Sequence, residues 1–483
     1  MKKLGLALSL ILCLTLLPFT SCKKESTAYA EYNIEVSLNG SELTGKEEVV
    51  FRNFTDNAFS ELKFNLFGNA FRKGASYTPI ADQYYNRAYY NGASYGGMAI
   101  NSVKQGGKNL EFSIGGEDEN ILIVKLAKEL FPREEVKVEI EFTLSLANVI
   151  ARTGINDNTI NLGNFYPIVC GISDNAFYEC LYYSNGDPFF SDVGDYTVKI
   201  SVDSKYLVAS GGKQLSCEEK AGRKVYTFSQ KKTRSFCMVL SEKFNVISDN
   251  SQGVEINYYY YSDATPEKSL EFAVKSLKLF SEIFGEYPYP TYSVVETEFI
   301  QGGMEYPGIV MISSDLEADA FREVIVHETA HQWWQTVVGN NEIEYGFLDE
   351  GLAEYSVVLF YENFSEYGLT RENMITSSER TYKVFCTVHD KLFGKVNTVM
   401  LRSLKDFESE YEYVNMAYIK PCIMYDYLRK SIGDERFFKA LKRYYKEYSF
   451  LNTSPYDLVG VFEKIGADTN GFFISFFEGK VVI

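Results

Sequence analysis

The sequence predicts a multidomain α and β protein, with a β-rich first part followed by a mainly helical second part. Three observations carry this. Apolar residues recur at every second position through the first half, the period of half-buried strands. Past about residue 260 they recur every three or four positions, the period of one helix face. A chain of 483 residues also exceeds what a single hydrophobic core usually holds.

Residues 1–21 read as an export signal. Lys2 and Lys3 precede an apolar stretch from Leu4 to Leu17, and Pro18-Phe19-Thr20-Ser21-Cys22 forms the processing site. Small residues before Cys22 resemble the box at which bacterial lipoproteins are cleaved and lipidated, with Phe19 where Leu is usual, so a lipid on Cys22 facing outward is expected, with simple secretion as the alternative. Residues 22–30 read as a linker. Removing residues 1–21 takes away two lysines and no acids, so the formal charge of −17 becomes about −19. Such a chain is unsuited to nucleic acid, which needs clustered Lys and Arg. It is suited to cationic partners, among them the free amino end of a peptide.

Residues 31–247 form the expected β domain. Tyr32–Leu38, Glu135–Phe142 and Tyr196–Val202 alternate apolar and polar side chains, and Asn39-Gly40, Gly106-Gly107, Gly115-Gly116 and Gly211-Gly212 supply turns. The stretch from Ser76 to Gly97 has no period and reads as a long loop. Short strands with Gly-rich turns imply a sandwich or saddle-like sheet assembly. Six cysteines lie beyond Cys22: 170, 180, 217, 237, 386 and 422. They permit three disulfides, sequence-near pairing being one of many connectivities, or else buried thiols.

Residues 248–483 form the second domain. A helix is predicted over 264–284, a strand over 292–299, and an edge segment over 301–308, because Pro307 cannot donate to a ladder. A helix over 319–338 is followed by another over 349–363 with Asp349 as N-cap, and the chain from 367 onward is mostly helical. Two of the chain's three histidines fall in His327-Glu328-Thr329-Ala330-His331. Residues four apart share a helix face, so both imidazoles can reach one metal ion with Glu328 about a quarter-turn away. Nineteen positions on stands Glu350. Two His and one Glu make an open zinc set, in which the metal activates water and Glu328 serves as proton carrier. One Zn2+ per chain is expected. Glu354, one turn after Glu350, is the candidate to orient a ligating imidazole. His389 reads as a surface histidine.

Together these residues resemble the gluzincin aminopeptidases, the family that includes aminopeptidase N, over residues 30 to 477. Gly302-Gly303-Met304-Glu305 is similar to the family's exopeptidase motif. His327-Glu328-x-x-His331 with Glu350 matches its zinc signature, and Trp333-Trp334 follows. Tyr418-Ile419-Lys420 resembles its Y-x-K segment, with Lys420 selecting Tyr418 from among Tyr411, Tyr413, Tyr425 and Tyr427. Gly186-Asp187-Pro188-Phe189 looks like the end of the family's saddle domain. The resemblance implies a thermolysin-like catalytic domain and a peptide laid along the segment Gly302, Gly303, Met304 and Glu305. It further implies that Glu305 holds the substrate's α-amino group and that the Tyr418 hydroxyl stabilises the oxyanion.

The sequence departs from the family in three ways. Tyr306 stands where Asn is usual, no second amine binder is identifiable in the first domain, and the chain ends near where the catalytic domain ends, which implies an open site. The resulting expectation is a zinc aminopeptidase acting on peptides with a free amino terminus. The alternatives are a zinc endopeptidase and a non-catalytic peptide-binding surface lipoprotein.

Overall fold

The computed structural model describes residues 28–466 and 469–481. The signal sequence, Cys22 and residues 22–27 of the 22–30 linker lie outside the described residues, and the linker's last three residues, 28–30, already belong to the first strand. The first part is built on an eight-stranded sheet. Its spatial order is Lys213–Lys220, Arg223–Thr233, Gly194–Asp203, Ala28–Asn39, Glu42–Asn53, Glu135–Ser145, Gly97–Gln105 and Lys108–Asn109. Ala28–Asn39 pairs parallel to Gly194–Asp203 and antiparallel to Glu42–Asn53. The period-2 reading holds residue by residue: Tyr32, Ile34, Val36 and Leu38 are all buried, as are Val136, Val138, Ile140 and Phe142 on the strand at 135–145. Two four-stranded sheets and a two-stranded one, Ile172–Ser173 with Ala176–Phe177, complete this part.

The segment expected as a loop over 76–97 is largely one, but it carries a short helical stretch over Asp82–Ala88. From it Gln83 donates to Glu410 at 2.6 Å, tying the first part of the chain to the second.

A five-stranded sheet opens the second part, in the order Asn245–Ser251, Val254–Tyr260, Thr291–Thr297, Ile309–Ser313, Gly303–Met304. Asn245–Ser251 spans the expected 247/248 junction and pairs along its whole length with Val254–Tyr260. The edge placement of the 301–308 segment is observed: Gly303–Met304 pairs only with Ile309–Ser313, and antiparallel to it. Helix Pro266–Ile283 packs its face of Leu270, Phe272, Ala273, Leu277 and Phe280 into the core. Helices Arg371–Leu392, Lys420–Ile432, Asp434–Tyr448, Pro455–Lys464 and Asn470–Phe477 make up most of the rest.

Two predicted helix boundaries are corrected. The helix expected to run from 319 to 338 is Ala318–Ala330 and stops at the second histidine. Trp333 and Trp334 are the cause. Both are buried, with the Trp333 indole donating to the Gly285 carbonyl at 2.7 Å and that of Trp334 to Ser356 at 3.2 Å. The chain turns to seat them, and Val338–Asn340 then pairs as a strand with Leu451–Thr453. Asp349 is not an N-cap. The helix runs Phe347–Asn363 behind Gly346, and the buried Asp349 carboxylate accepts from the Asn340 amide at 2.9 Å.

All six cysteines expected as disulfides or thiols are free, with Cys170, Cys180, Cys237 and Cys422 buried.

Candidate metal centre

The helix Ala318–Ala330 carries His327 in its last turn and hands the chain to His331 at its end, so both rings stay on one face. Helix Phe347–Asn363 brings Glu350 against them. His327 Nε2 and His331 Nε2 lie 3.1 Å apart, and Glu350 Oε2 lies 3.2 Å from the first and 3.1 Å from the second. Three donors at zinc-ligand distance in a tetrahedron would stand about 3.3 Å from one another. The triangle fits that ion, and its members are the neutral-imidazole and carboxylate donors zinc takes.

Each imidazole is oriented through its other nitrogen. His327 Nδ1 meets Glu354 Oε2 at 3.2 Å, and His331 Nδ1 donates to the Trp334 carbonyl at 3.0 Å. Both leave Nε2 free to ligate. The turn that ends the helix early is thus what supplies the His331 acceptor. Burial opposes charge on His327, but hydrogen bonds from its ring to the Glu350 and Glu354 carboxylates outweigh it and raise the ring to about 10. Burial also works against ionisation of Glu350, yet the two histidines hold it well below the usual carboxylate range.

Glu328 faces the cleft beside the triangle. Burial pushes its carboxyl up to about 7, against the pull of both histidines. Its Oε2 is buried with no hydrogen-bond partner among the described residues. Gly303 lies directly beneath it, where a Cβ would collide with the Glu328 carboxylate. The glycine of the edge strand is therefore required for close approach. Gly302 beside it accepts from the Ser313 N–H at 2.9 Å.

Glu305 closes one end of the cleft. It is only 4% exposed, and its Oε1 has no partner among the described residues. Burial, with Asp187 nearby, holds its carboxyl well above the ordinary range. Met304 points away from the cleft into a core cluster with Val295, Phe299 and Met311, and its sulfur accepts from Arg152 Nε at 3.0 Å. Of Gly302, Gly303, Met304 and Glu305, only Met304 therefore turns its side chain from the cavity.

Tyr418 enters from a π-helical turn, Asn415–Ile419, between helices Glu410–Val414 and Lys420–Ile432. Pro421 lacks an N–H, and its ring would clash with the carbonyl four residues back, so a regular helix cannot continue through this point. The widened turn aims the phenol at the donor set. Its hydroxyl donates to Glu350 Oε1, and its ring lies 5.7 Å from His327 at an interplanar angle of 18°.

Asp187 and Arg152 are among the cleft residues that escaped sequence reasoning. Asp187 lines the cavity beside Glu305 and is ion-paired with the buried Arg152. The Gly186–Phe189 segment was legible only as a domain end, and nothing marked Arg152. Tyr306, the departure from the family motif, is buried, and the Asn164 amide donates to its hydroxyl at 3.4 Å. The cavity enclosing the site measures about 350 Å3. His389 lies outside it, on the surface, its ring 2.9 Å from the Gly394 carbonyl oxygen.

Comparison with known proteins agrees with this geometry. Residues 268–476 match the Peptidase family M1 domain. Aminopeptidase M1-D of Oryza sativa subsp. japonica is 25% identical over 213 residues, covering 41% of this chain and 24% of that protein. The alanine/arginine aminopeptidase of Saccharomyces cerevisiae is 26% identical over 264 residues, covering 50% of this chain and 29% of that protein. The matches therefore span about a quarter of those relatives' lengths. Among solved structures, an M1 zinc metallopeptidase from Deinococcus radiodurans shares the fold at a TM-score of 0.68 and 17% identity, with 95% of each chain covered. A variant of that protein has been crystallised with the substrate Tyr-Ser-Ala, and matches with a TM-score of 0.66.

Proposed function

We propose that this chain, aminopeptidase N-like and carrying an M1 peptidase domain over residues 268–476, is a zinc-dependent aminopeptidase. One observation supports this reading above the others. Glu305, a buried carboxyl with an unpaired oxygen, ends the cleft beside His331 and Glu328, their polar atoms lying within 4.8 Å of one another. An ammonium group is the partner that such an oxygen lacks, and binding it there fixes the first residue of a peptide against the metal set. Asp187, beside Glu305, supplies the acid from the first part of the chain that the sequence did not reveal.

His327, His331 and Glu350 would hold the zinc, which supplies carbonyl polarisation and a water of lowered pKa. Glu328 then accepts the proton of the attacking water as its oxygen bonds to the scissile carbonyl carbon. The same proton passes to the leaving nitrogen as the C–N bond breaks. Tyr418 turns its hydroxyl from Glu350 Oε1 to the carbonyl oxygen as that oxygen gains charge. Glu354 and the Trp334 carbonyl keep both imidazoles aligned throughout.

Alanyl-peptide amides with a free amine should be hydrolysed and their N-acetylated forms should not. Equal cleavage of both would favour an endopeptidase. Binding without cleavage by zinc-loaded protein would favour a non-catalytic peptide-binding lipoprotein.

Export with a lipid on Cys22 is part of the same proposal. It is supported by Lys2-Lys3, the apolar stretch and the small residues before Cys22. Cys22→Ala should release the protein from the detergent phase or leave it unprocessed. Wild-type protein that is soluble and begins at another residue would refute the anchor.

A further inference from the structure

The far end of the cleft holds an acid that the reaction does not use. Glu323 lies one turn before His327 on the same helix face and lines the cavity with Val324, Val357 and Glu354. Glu354 is committed to His327 Nδ1. Glu323 has neither a hydrogen bond nor an ion pair among the described residues. Its charged neighbours are Glu354 and His327, and burial with the adjacent Glu354 raises its carboxyl from the ordinary value. The guanidinium that lines the cleft, Arg152, is already paired with Asp187. A part-buried carboxylate facing a second carboxylate, with His327 beside them but no Lys or Arg paired to either among the described residues, is a place for a cation from the substrate.

The order of groups across the cleft fixes which part of the substrate that is. Glu305 stands by His331, and Glu323 stands by His327. The line Glu305, His331, His327, Glu323 therefore crosses the donor triangle from one side to the other. With the amino group at Glu305 and the scissile carbonyl at the triangle, the residue released on the carboxyl side runs toward Glu323. Val324 and Val357 offer apolar wall to an aliphatic stem, while the two carboxylates meet a charged tip.

We propose that Glu323 makes the enzyme selective for peptides with a lysine or arginine immediately after the cleaved bond. This rests on the aminopeptidase reading and names the substrate class for it.

Ala-Lys-NH2, Ala-Ala-NH2 and Ala-Glu-NH2, assayed for release of alanine by the zinc-loaded full chain, provide the test. Wild type should prefer the lysine substrate to the glutamate one by about tenfold or more in kcat/KM, and 1 M salt should compress that ratio. Glu323→Gln should reduce the ratio at least about threefold and Glu323→Lys should invert it, while Asp319→Asn, an exposed acid on the same helix, should leave it unchanged. Each ratio is internal to one preparation, so partial loss of folded protein cancels. If wild type cleaves all three but Glu323→Gln leaves the ratio in place, the role of Glu323 is wrong and the aminopeptidase reading stands. If Glu323→Gln instead alters the choice between Lys-Ala-NH2 and Ala-Ala-NH2, the acid serves the first residue and the assignment is overturned. Failure to cleave any of these substrates sinks the aminopeptidase reading and this inference with it.

Discussion

Tyr418→Phe removes one oxygen atom and keeps the ring that stacks on His327. In the resting site that oxygen donates to Glu350 Oε1, while Glu350 Oε2 faces both imidazoles. The substitution therefore has two consequences of different size. Loss of a hydrogen bond to a metal-ligating carboxylate should weaken zinc affinity by roughly tenfold, the scale seen for groups that support a metal ligand. Loss of the donor to the developing oxyanion should lower kcat by about a hundredfold, or about 3 kcal/mol of transition-state stabilisation. KM should move much less, because the phenol's bond to the carbonyl oxygen strengthens only as charge develops there.

Steady-state kinetics on an alanyl amide at saturating zinc separate the two effects, with metal content measured on the same samples. Tyr413→Phe is the control. Its ring is 5.8 Å from that of Tyr418, but its hydroxyl lies against Gly346 and Gly186 and, among the described residues, makes no hydrogen bond to the donor set. A Tyr418→Phe enzyme that regains the wild-type rate once zinc is saturating would refute the oxyanion role. A large loss in Tyr413→Phe without one in Tyr418→Phe would refute the choice of tyrosine.

Three further outcomes follow from the geometry. Glu328→Gln should retain about one zinc per chain and lose turnover, whereas His327→Ala or Glu350→Ala should lose the metal, as metal analysis beside activity would show. Arg152→Met should destabilise the fold by about 3–5 kcal/mol by stranding the Asp187 charge, and adding Asp187→Asn should recover most of that, read from urea transitions. Lys420 is buried and its hydrogen bonds among the described residues go to carbonyls, Thr398 at 2.6 Å and Phe476 at 3.4 Å, so burial lowers its ammonium to about 8. The unfolded chain then binds the extra proton between about pH 8 and 10.5, and stability from this group rises with pH through that window. The stability of wild type relative to Lys420→Met should accordingly increase by about 2 kcal/mol from pH 7.5 to 9.5, and a flat difference would refute the shift.

Local periodicity makes the donor set legible in the amino-acid sequence itself. Residues 327 and 331 share a face because a helix repeats every 3.6 residues, and the same arithmetic places Glu354 behind Glu350. Period 2 likewise identifies the strands of the large sheet, and Pro307 the sheet edge. What escapes depends on contacts that no local pattern encodes. The helix at 318–330 ends where two indoles must reach Gly285 and Ser356, so its length is set by the core they enter and not by its own residues. Asp349 has the composition of a cap and the environment of a buried acceptor for Asn340. Arg152 and Asp187 meet across 35 residues of loop and short strand, and only the assembled cleft shows the pair beside Glu305.

Lys420 shows how a sequence landmark and its chemistry can come apart. It selects Tyr418 from a crowd of tyrosines, yet its ammonium lies outside the cleft and ties the Thr398 and Phe476 carbonyls together. The residue next to it, Pro421, widens the turn that aims Tyr418 at Glu350. The segment Tyr418–Pro421 thus joins the proposed oxyanion donor to two structural groups. The lysine anchors the helix start against helix Asn470–Phe477, and the proline prevents a regular turn from carrying the phenol away. Replacing Pro421 with alanine leaves every cleft side chain in place chemically, yet permits a regular turn to re-form across 415–419. Turnover in Pro421→Ala should therefore fall with Tyr418 intact and zinc content little changed. Unchanged turnover would show that the widened turn does not depend on the proline.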